Sequence, residues 1–358
     1  MSINNKTEEI LNVATSKGRI SAEDALFLFN NATLHQLGRA ADQIKQERHP
    51  DNIVAFVIDR NINYTNICIN KCRFCAFYRD LDNPEGYLLN ADDVLKKVKE
   101  AISNGATQIM LQGGLHPEVK LDYYTAIFKA IKDTYDIVIH SLSPPEIIHI
   151  AKNSGLTTQE TIQTLIKAGL DSIPGGGAEI LADNVRQKIS PLKIKSSEWL
   201  DVMRLAHVEG LCTTATMMFG IGESLNDRIT HLESIRTLQD QSGKFRAFIP
   251  WTFQPGHTDI GGSEVPAADY LKTLAISRIY LDNITTIQGS WLTQGEGIGQ
   301  MSLFFGANDL GSTMLEENVV RSTGVHNKMD VEKIVRLIKE CGFIPAQRDT
   351  EYNILKIF

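Results

Sequence analysis

The residues most able to do chemistry are Cys68, Cys72 and Cys75, which follow one another with the spacing Cys-x3-Cys-x2-Cys. Thiolates are the usual protein ligands of iron–sulfur clusters, and a cluster that only carries electrons normally has four of them. No fourth cysteine lies near this loop, because Cys212 and Cys341 are far away in the chain. The spacing therefore predicts a [4Fe–4S] cluster held by three thiolates, with one iron left open to bind a small molecule.

Two other uses of clustered cysteines fit less well. A structural zinc site takes four ligands, commonly as two pairs separated by about 12–20 residues, and residues 84–95 contain neither Cys nor His. Disulfides are disfavoured by the odd total of five cysteines. The N-terminus also lacks the apolar stretch of a secretory signal, which predicts reduced thiols. Cys212 and Cys341 have apolar neighbours, and we expect them to be core residues.

The composition is that of an ordinary globular enzyme. The chain has 358 residues, of which 42% are hydrophobic, and its 36 basic and 43 acidic residues give a net charge of −7. Because there is no Lys/Arg-rich block, this balance argues against nucleic acid as a partner. No apolar run approaches the roughly 18–20 residues that cross a bilayer. We therefore expect a cytoplasmic enzyme that acts on a small molecule and has no membrane partner.

Alternating strand and helix patterns must position the cysteine loop. Residues 1–52 predict an N-terminal helical cap. In residues 53–358, short apolar runs alternate with amphipathic helices at intervals of about 30–45 residues, the length of a βαβ unit. The count of strands favours an α/β fold of the (β/α)8 TIM-barrel type over a doubly wound open sheet, with a C-terminal helical extension that includes a helix at 331–341. The predicted strands are 62–67, 107–111, 137–140, 170–173, 212–219, 245–250, 284–287 and a short piece near Phe305.

Active sites of such barrels lie at the C-terminal ends of the strands. The cysteine loop directly follows the first predicted strand, and segments rich in Gly, polar and aromatic residues follow the others. One face of the barrel is therefore predicted to carry the chemistry. These segments are 112–117, 141–146, 174–179, 219–223, 251–255, 291–295 and 306–309.

The cysteine loop, with Phe74 directly before its last cysteine, resembles that of the radical S-adenosylmethionine (radical SAM) enzymes. The resemblance implies a [4Fe–4S] cluster whose open iron binds S-adenosyl-L-methionine and cleaves it to a 5′-deoxyadenosyl radical. It also implies that Phe74 lies beside the adenine, and that Gly113 and Gly114 hold the methionine amino group. The acid that usually follows this glycine pair is absent, because position 115 is Leu. A plain tight turn is the alternative for the two glycines.

The same resemblance assigns three further residues to the cofactor. Glu179 and Arg186 follow the fourth predicted strand, where related enzymes place polar residues on the ribose or on the methionine carboxylate. A surface ion pair between them is the alternative. Met218 would line the adenosine pocket, although a methionine on a strand is more often a core residue.

Longer segments between about residues 50 and 350 resemble the dehypoxanthine futalosine cyclases of the futalosine route to menaquinone. The resemblance implies a substrate, dehypoxanthine futalosine, in which a ribose is joined through a carbonyl carbon to a 3-carboxyphenyl ring. The deoxyadenosyl radical would take the hydrogen from C4′ of the ribose, and the carbon radical would attack the ring. The product would be two hydrogens lighter than the substrate. The segments are 72–79, 112–115, 171–179, 213–220, 248–255 and 306–313.

Such a substrate requires three kinds of side chain, and for each candidate a structural role is the alternative. A flat ring suits an aromatic wall, a carboxylate suits the bidentate guanidinium of arginine, and the proton lost after cyclisation needs a base. The wall candidates are Tyr64, Phe77, Trp251 and Trp291, the arginines are Arg79, Arg246 and Arg348, and the bases are Asp309, Glu179 and His116.

Other functions remain open at this point. The resemblance implies an electron donor such as flavodoxin or ferredoxin. Sister radical SAM enzymes, namely aminofutalosine synthase and the synthases of the deazaflavin cofactor, share the cysteine loop. A non-catalytic iron–sulfur electron-transfer protein is a further alternative, which predicts a fourth protein ligand and no cleavage of S-adenosylmethionine.

Overall fold

Three helices open the fold in the computed structural model, which describes residues 2–358. Each begins after a Ser or Thr whose side-chain oxygen accepts an N–H of the first turn, which satisfies a donor that the helix itself cannot pair. Their apolar faces belong to the same hydrophobic core as the rest of the chain. The helices predicted before residue 48 are therefore confirmed as α1 (Ile3–Thr15), α2 (Ala22–Asn31) and α3 (Leu34–Arg48).

Eight parallel staves form a barrel, where a stave is one strand position of the ring. The first stave consists of two short strands, β1 (Ile53–Val57) and β2 (Asp59–Ile62), which are separated only by Ile58. The others are β3 (Gln108–Leu111), β4 (Val138–Ile139), β5 (Ser172–Ile173), β6 (Cys212–Phe219), β7 (Phe245–Thr252), β8 (Thr286–Ile287) and β9 (Asp309–Ser312).

The order of pairing closes the barrel. Strands β2, β3 and β4 are neighbours, as are β5, β6, β7 and β8. Single parallel bridges from His140 to Ser172 and from Gln288 to Asp309 join β4 to β5 and β8 to β9. Because β9 also pairs in parallel with β1, the ring is complete, and the predicted (β/α)8 barrel is confirmed.

Helices cover the outside of the barrel between successive strands, as expected of a parallel sheet that is buried on both faces. No helix among residues 2–358 is long and apolar enough to cross a membrane. The helices are α4 (Ala91–Ser103), α5 (Leu121–Thr134), α6 (Pro144–Ser154), α7 (Thr158–Ala168), α8 (Asp183–Ile189), α9 (Ser196–Val208), α10 (Leu225–Ser242), α11 (Ala267–Tyr280) and α12 (Trp291–Ser302).

Two predicted strands were wrong. The segment 62–67 leaves the barrel after Ile62, because Thr65 and Asn66 donate side-chain hydrogen bonds to backbone carbonyls of the following loop. The stave is instead the apolar run 53–57 with its continuation. Phe305 also lies outside any strand. Its ring packs so closely on Gly38 of α3 that a Cβ at Gly38 would collide with it.

The C-terminal segment adds a sheet edge that was not predicted. After the predicted helix, α13 (Val331–Glu340), come β10 (Ile344–Arg348) and β11 (Ile354–Ile357). β10 pairs in parallel with β1, and β11 pairs antiparallel with β10. The turn between them lies under the N-terminal end of the barrel, and the side chains of Arg348, Thr350 and Tyr352 line its interior. This turn is the floor of the barrel.

Candidate active site inside the barrel

A cavity of about 280 Å³ runs through the barrel interior. This volume lies just below the usual range for small-molecule sites, which is about 300–1,000 Å³. At the C-terminal ends of the strands its lining includes Gly176 and Glu179. At the floor it includes Arg246, Arg348 and Tyr352. The cavity therefore connects the end of the barrel where active sites usually lie with the opposite end.

The three cysteines follow the first stave in a loop without regular secondary structure. All three thiols are free; Cys72 is buried, and Cys68 and Cys75 are half-buried. Burial raises the pKa of Cys72 to about 12 and also raises that of Cys75, where the N–H groups of Phe77 and Tyr78 work against the shift. Iron would have to displace these protons, because thiolates are the ligating form.

The loop is not arranged as a mononuclear site. Among residues 2–358, no three His, Cys, Asp or Glu side chains converge so that they could hold a single ion. Three free thiols in one buried loop remain suited to three corners of a larger cluster. The cysteine set fits a [4Fe–4S] group with one open corner.

Arg79 organises this loop and does not line the cavity. Its Nη1 lies 3.1 Å from the carbonyl of Ala76 and 2.9 Å from that of Tyr78, and its Nε donates to Glu85 at 2.7 Å. Its backbone carbonyl accepts from the N–H of Cys68 at 3.1 Å. With its guanidinium occupied in this way, Arg79 stabilises the conformation of the cysteine loop and is poorly placed to bind a substrate carboxylate.

The glycine pair after β3 packs against the cysteine loop. A Cβ on Gly114 would collide with the carbonyl oxygen of Ile67, and one on Gly113 would collide with the ring of Tyr64. The N–H of Gly113 donates to Glu146 at 3.0 Å and that of Gly114 to Thr65 at 2.9 Å. Within residues 2–358 neither glycine carbonyl accepts a hydrogen bond. Two acceptors are thus left at the place where the methionine ammonium is expected.

Tyr64 is a support for this turn. Its hydroxyl donates to the carboxylate of Glu146 at 2.7 Å, and its side chain is 1% exposed. Glu146 is also buried, and burial raises its pKa against four hydrogen-bond donors. Tyr64 is absent from the cavity lining, so its ring is not part of an aromatic wall.

Glu179 and Lys193 form an ion pair at the upper end of the cavity, which is the end where the strands have their C-termini. Lys193 Nζ lies 2.8 Å from Glu179 Oε1 and 5.3 Å from the centre of the Phe74 ring. Burial lowers the pKa of Lys193, but the Glu179 carboxylate and the Cys72 thiol outweigh it, so the pKa is raised and the ammonium stays charged. Glu179 Oε2 accepts no hydrogen bond but lies 3.5 Å from Arg186 Nη1, so the ion pair considered for these two residues exists and is buried, not on the surface. An oxygen that accepts no hydrogen bond and a charged donor therefore lie beside the cysteine loop.

These two groups fit S-adenosylmethionine. A ribose diol can donate to the vacant oxygen of Glu179, and the methionine carboxylate can accept from Lys193. Lys193 was not predicted. No motif marks it, since it comes from the segment between α8 and α9 and reaches the site only through the fold.

Arg186 and Met218 hold this end of the barrel in place. The guanidinium of Arg186 donates to the carbonyls of Gly177, Ala178 and Ile194 at 3.3, 2.5 and 2.7 Å. It therefore clamps the loop after β5 and has little capacity left for a ligand. Met218 is 2% exposed, and its N–H donates to the carbonyl of Glu179 at 3.0 Å, which makes it a core residue next to the site.

Arg246 is the floor residue with capacity to spare. Its Nη1 donates to the carbonyl of Thr350 at 2.5 Å and to the exposed Glu351 carboxylate at 2.6 Å, and its Nη2 donates to Ser172 Oγ at 2.5 Å. Its Nε is buried and has no acceptor. A buried N–H without a partner costs roughly 1–3 kcal/mol, and an anion entering the cavity would recover that cost.

Arg348 and Asp309 neutralise each other beside it. Arg348 Nε lies 2.5 Å from Asp309 Oδ2, and its Nη2 lies 3.1 Å from Oδ1. Asp309 is fully buried and also accepts from the N–H of Gly311 at 2.7 Å. Both oxygens of the carboxylate are occupied, so Asp309 is poorly suited to be the base, and it lies at the floor and not at the opposite face where it was predicted.

The remaining predicted residues divide between wall and scaffold. Trp251 lines the cavity. Trp291 is 3% exposed, its indole N–H donates to the carbonyl of Ser312 at 3.1 Å, and Phe77 stays within the cysteine loop; neither is in the lining. His116 is also outside the lining, and its Nδ1 accepts from the N–H of Glu118 at 3.2 Å.

Comparison with known proteins gives two family matches. Residues 62–235 match the radical SAM superfamily, and residues 242–358 match the CofH/MqnC C-terminal region. Cyclic dehypoxanthine futalosine synthase of Halalkalibacterium halodurans is 46% identical over 98% of this chain and 95% of its own length. The protein of the same name from Streptomyces coelicolor is 45% identical over 98% of this chain and 89% of its own.

A second group of relatives bears another name. The 5-amino-6-(D-ribitylamino)uracil–L-tyrosine 4-hydroxyphenyl transferase of Archaeoglobus fulgidus is 42% identical over 88% of this chain and 93% of its own length. Among solved structures, the FeFe-hydrogenase maturase from Carboxydothermus hydrogenoformans has a TM-score of 0.77 at 18% identity, covering 98% of this chain and 81% of its own. That likeness concerns the fold alone. Because relatives of 42–46% identity span almost the whole chain and the superfamily match covers the cysteine loop, this chain is a radical SAM enzyme.

Proposed function

We propose that this enzyme cyclises dehypoxanthine futalosine, forming a carbon–carbon bond between C4′ of the ribose and the carboxyphenyl ring. The proposal rests on the two relatives named cyclic dehypoxanthine futalosine synthase. The structural observation that carries it is the cavity itself, which has at one end Glu179, paired with Lys193 beside the cysteine loop, and at the other the unpartnered Nε of Arg246. A substrate with a ribose at one end and a carboxylate at the other matches this polarity.

The cofactors would be held at the upper end. Cys68, Cys72 and Cys75 would hold the cluster, and the carbonyls of Gly113 and Gly114 would accept from the ammonium of S-adenosylmethionine. Glu179 and Lys193 would bind its ribose and carboxylate as described above. Bound S-adenosylmethionine, given one electron through the cluster, supplies the deoxyadenosyl radical that removes the C4′ hydrogen. The electron would come from a low-potential donor such as flavodoxin or ferredoxin.

The chain's own residues would fix the substrate in a folded geometry. Arg246 would bind the carboxylate through Nε, a charge-assisted bond in a buried site. Trp251 would lie against the ring, and the ribose would be left near the upper end. Holding the two reacting carbons together in this way replaces an improbable encounter with a positioned one.

The test is anaerobic turnover of the reconstituted enzyme with S-adenosylmethionine, a reductant and dehypoxanthine futalosine, followed by mass spectrometry. Deoxyadenosine together with a product two hydrogens lighter would support the cyclase. Deoxyadenosine without any change in the substrate would contradict it.

The second group of relatives defines the competing assay. The same enzyme should be given 5-amino-6-(D-ribitylamino)uracil with L-tyrosine, the compounds in the name of those relatives. An adduct from this pair, in place of the lighter futalosine product, would move the chain to that group. A third assay with the substrate of aminofutalosine synthase covers the remaining sister reaction.

A further inference from the structure

His140 is a titratable residue of the cavity that the cofactor and carboxylate sites do not use. It directly follows β4, is 5% exposed and lines the cavity near Arg246. Its Nδ1 lies 2.8 Å from Ser172 Oγ on the neighbouring stave. Its Nε2 has no hydrogen-bond partner among residues 2–358.

The hydrogen bonds of Ser172 determine which nitrogen of His140 carries the proton. The serine hydroxyl has one hydrogen, which it donates to the carbonyl of Cys212 at 2.8 Å. Arg246 Nη2 donates to Ser172 Oγ at 2.5 Å. Ser172 Oγ must then accept from His140, so Nδ1 carries the hydrogen. The lone pair of Nε2 is left free.

The charges around His140 keep it neutral before substrate arrives. Burial, and then Arg246 and Arg348, lower its pKa to about 3. Asp309 offsets Arg348 and the exposed Glu351 pairs with Nη1 of Arg246, but Nε of Arg246, on the cavity side, has no acceptor. A substrate carboxylate bound there would reduce the positive charge and make the imidazole more basic.

We propose that His140 Nε2 is the catalytic base that accepts the ring proton after cyclisation. This inference rests on the cyclase proposed above. When the C4′ radical adds to the ring, a C–C bond forms and the unpaired electron is spread over the ring. The C–H bond at the attacked carbon then breaks, its proton goes to Nε2, and its electron pair restores the aromatic ring. The surplus electron passes to a one-electron acceptor of the iron–sulfur class, the enzyme's own oxidised cluster.

The other candidates are less suitable for this role. Glu179 lies at the opposite end of the cavity, and Asp309 is occupied by Arg348. Asp59 also lines the floor, but it accepts from Ser312 on one oxygen and from Gln108 at 2.9 Å on the other. His140 alone among these four has a free lone pair beside Arg246.

The test compares His140→Gln with His116→Gln, a histidine outside the cavity. The measured quantity is the ratio of deoxyadenosine to lighter product. Since general bases contribute roughly 10²–10⁴-fold, the ratio in His140→Gln is expected to rise by about 100-fold with an unchanged KM for the substrate. His116→Gln is expected to keep the unsubstituted ratio. Imidazole added to His140→Ala should restore product formation.

The outcomes separate the two proposals. If the unsubstituted enzyme makes no lighter product, the cyclase fails and the role of His140 fails with it. If that product forms and His140→Gln keeps the same ratio, or loses deoxyadenosine as well, only the role of His140 is overturned.

A second readout does not depend on turnover. ¹⁵N NMR of the reconstituted, oxidised enzyme with labelled histidine should show His140 with its hydrogen on Nδ1, assigned by the resonance that His140→Gln removes. Ser172→Ala should alter that signal. A hydrogen on Nε2 would overturn the proposal.

Discussion

The two ends of the cavity are built in different ways. The upper end uses loops: a cysteine loop, a glycine turn and a short polar segment, each continuous in the chain. The floor uses single residues from the N-terminal parts of several strands and from the turn between β10 and β11. The upper end offers vacant acceptors, whereas the floor is a dense network with one vacant donor, Arg246 Nε. Chemistry shared by a superfamily can thus reside in contiguous motifs, while the part that we propose to bind the substrate is assembled from distant residues.

The largest effect is expected from removing a cluster ligand at the upper end. Cys72→Ala should abolish deoxyadenosine formation, because two thiolates cannot hold the cluster in place of three. Iron and sulfide content after reconstitution, together with deoxyadenosine release, would check this. Cys341→Ala removes a half-buried thiol far from the loop and should retain both. A Cys72→Ala enzyme with full iron content and activity would contradict the site.

Removing the buried ammonium should weaken only the upper end. Lys193→Met is expected to raise the Kd for S-adenosylmethionine about 10–100-fold, since a hydrogen bond to a charged group is worth about 1.5–3 kcal/mol. The KM for the substrate should change little. Lys188→Met, on the exposed face of α8, is the matched control. Equal losses in both constants would show that the two ends are coupled.

The reciprocal change at the floor should weaken only substrate binding. Arg246→Lys keeps a charge but replaces three separate donor nitrogens, which reach the carbonyl of Thr350, the carbonyl of Cys212 and the cavity, with a single nitrogen. We expect the substrate KM to rise about 10–100-fold, with an unchanged Kd for S-adenosylmethionine. Thermal unfolding would check that the fold is retained, with the exposed Arg204→Lys as control. An unchanged substrate KM would remove Arg246 from the site.

The smallest effect is expected from a region outside both ends. Burial lowers the pKa of His207, on α9, to about 4 from an ordinary value near 6.5. Between these values the unfolded chain binds more protons, so this residue's contribution to stability is lost as the pH falls from about 6.5 towards 4. At pH 5 the loss is about 1–2 kcal/mol. Denaturant unfolding gives the decrease in the free energy of unfolding between pH 7 and pH 5. In His207→Gln this decrease should be about 1–2 kcal/mol smaller than in the unsubstituted enzyme. In His35→Gln, a substitution at an exposed site, it should be unchanged.

The sequence was informative where function depends on spacing. The cysteine loop, the glycine pair and the recurrence of strands were all readable, because each rule acts within a short stretch of chain. The first stave was misplaced because the apolar run 53–57 is buried on all sides and does not alternate.

The sequence could not show which hydrogen-bond partners each side chain has in the folded protein. Arg79, Arg186 and Arg246 look alike in the sequence, but backbone carbonyls occupy most donors of the first two, and only Arg246 keeps a buried donor free. Lys193 and His140 carry no motif. Their importance comes from neighbours on other elements, which no local pattern reveals.

The position of the floor in the chain affects how the enzyme is assembled. A ribosome delivers the N-terminal part first, and domains begin to fold in that order. The cysteine loop emerges long before residues 348–352, which line the base of the barrel. The cysteine loop is therefore available while the barrel is still open from below. The barrel is closed from below only when β10 and β11, the last strands of the described chain, have been added.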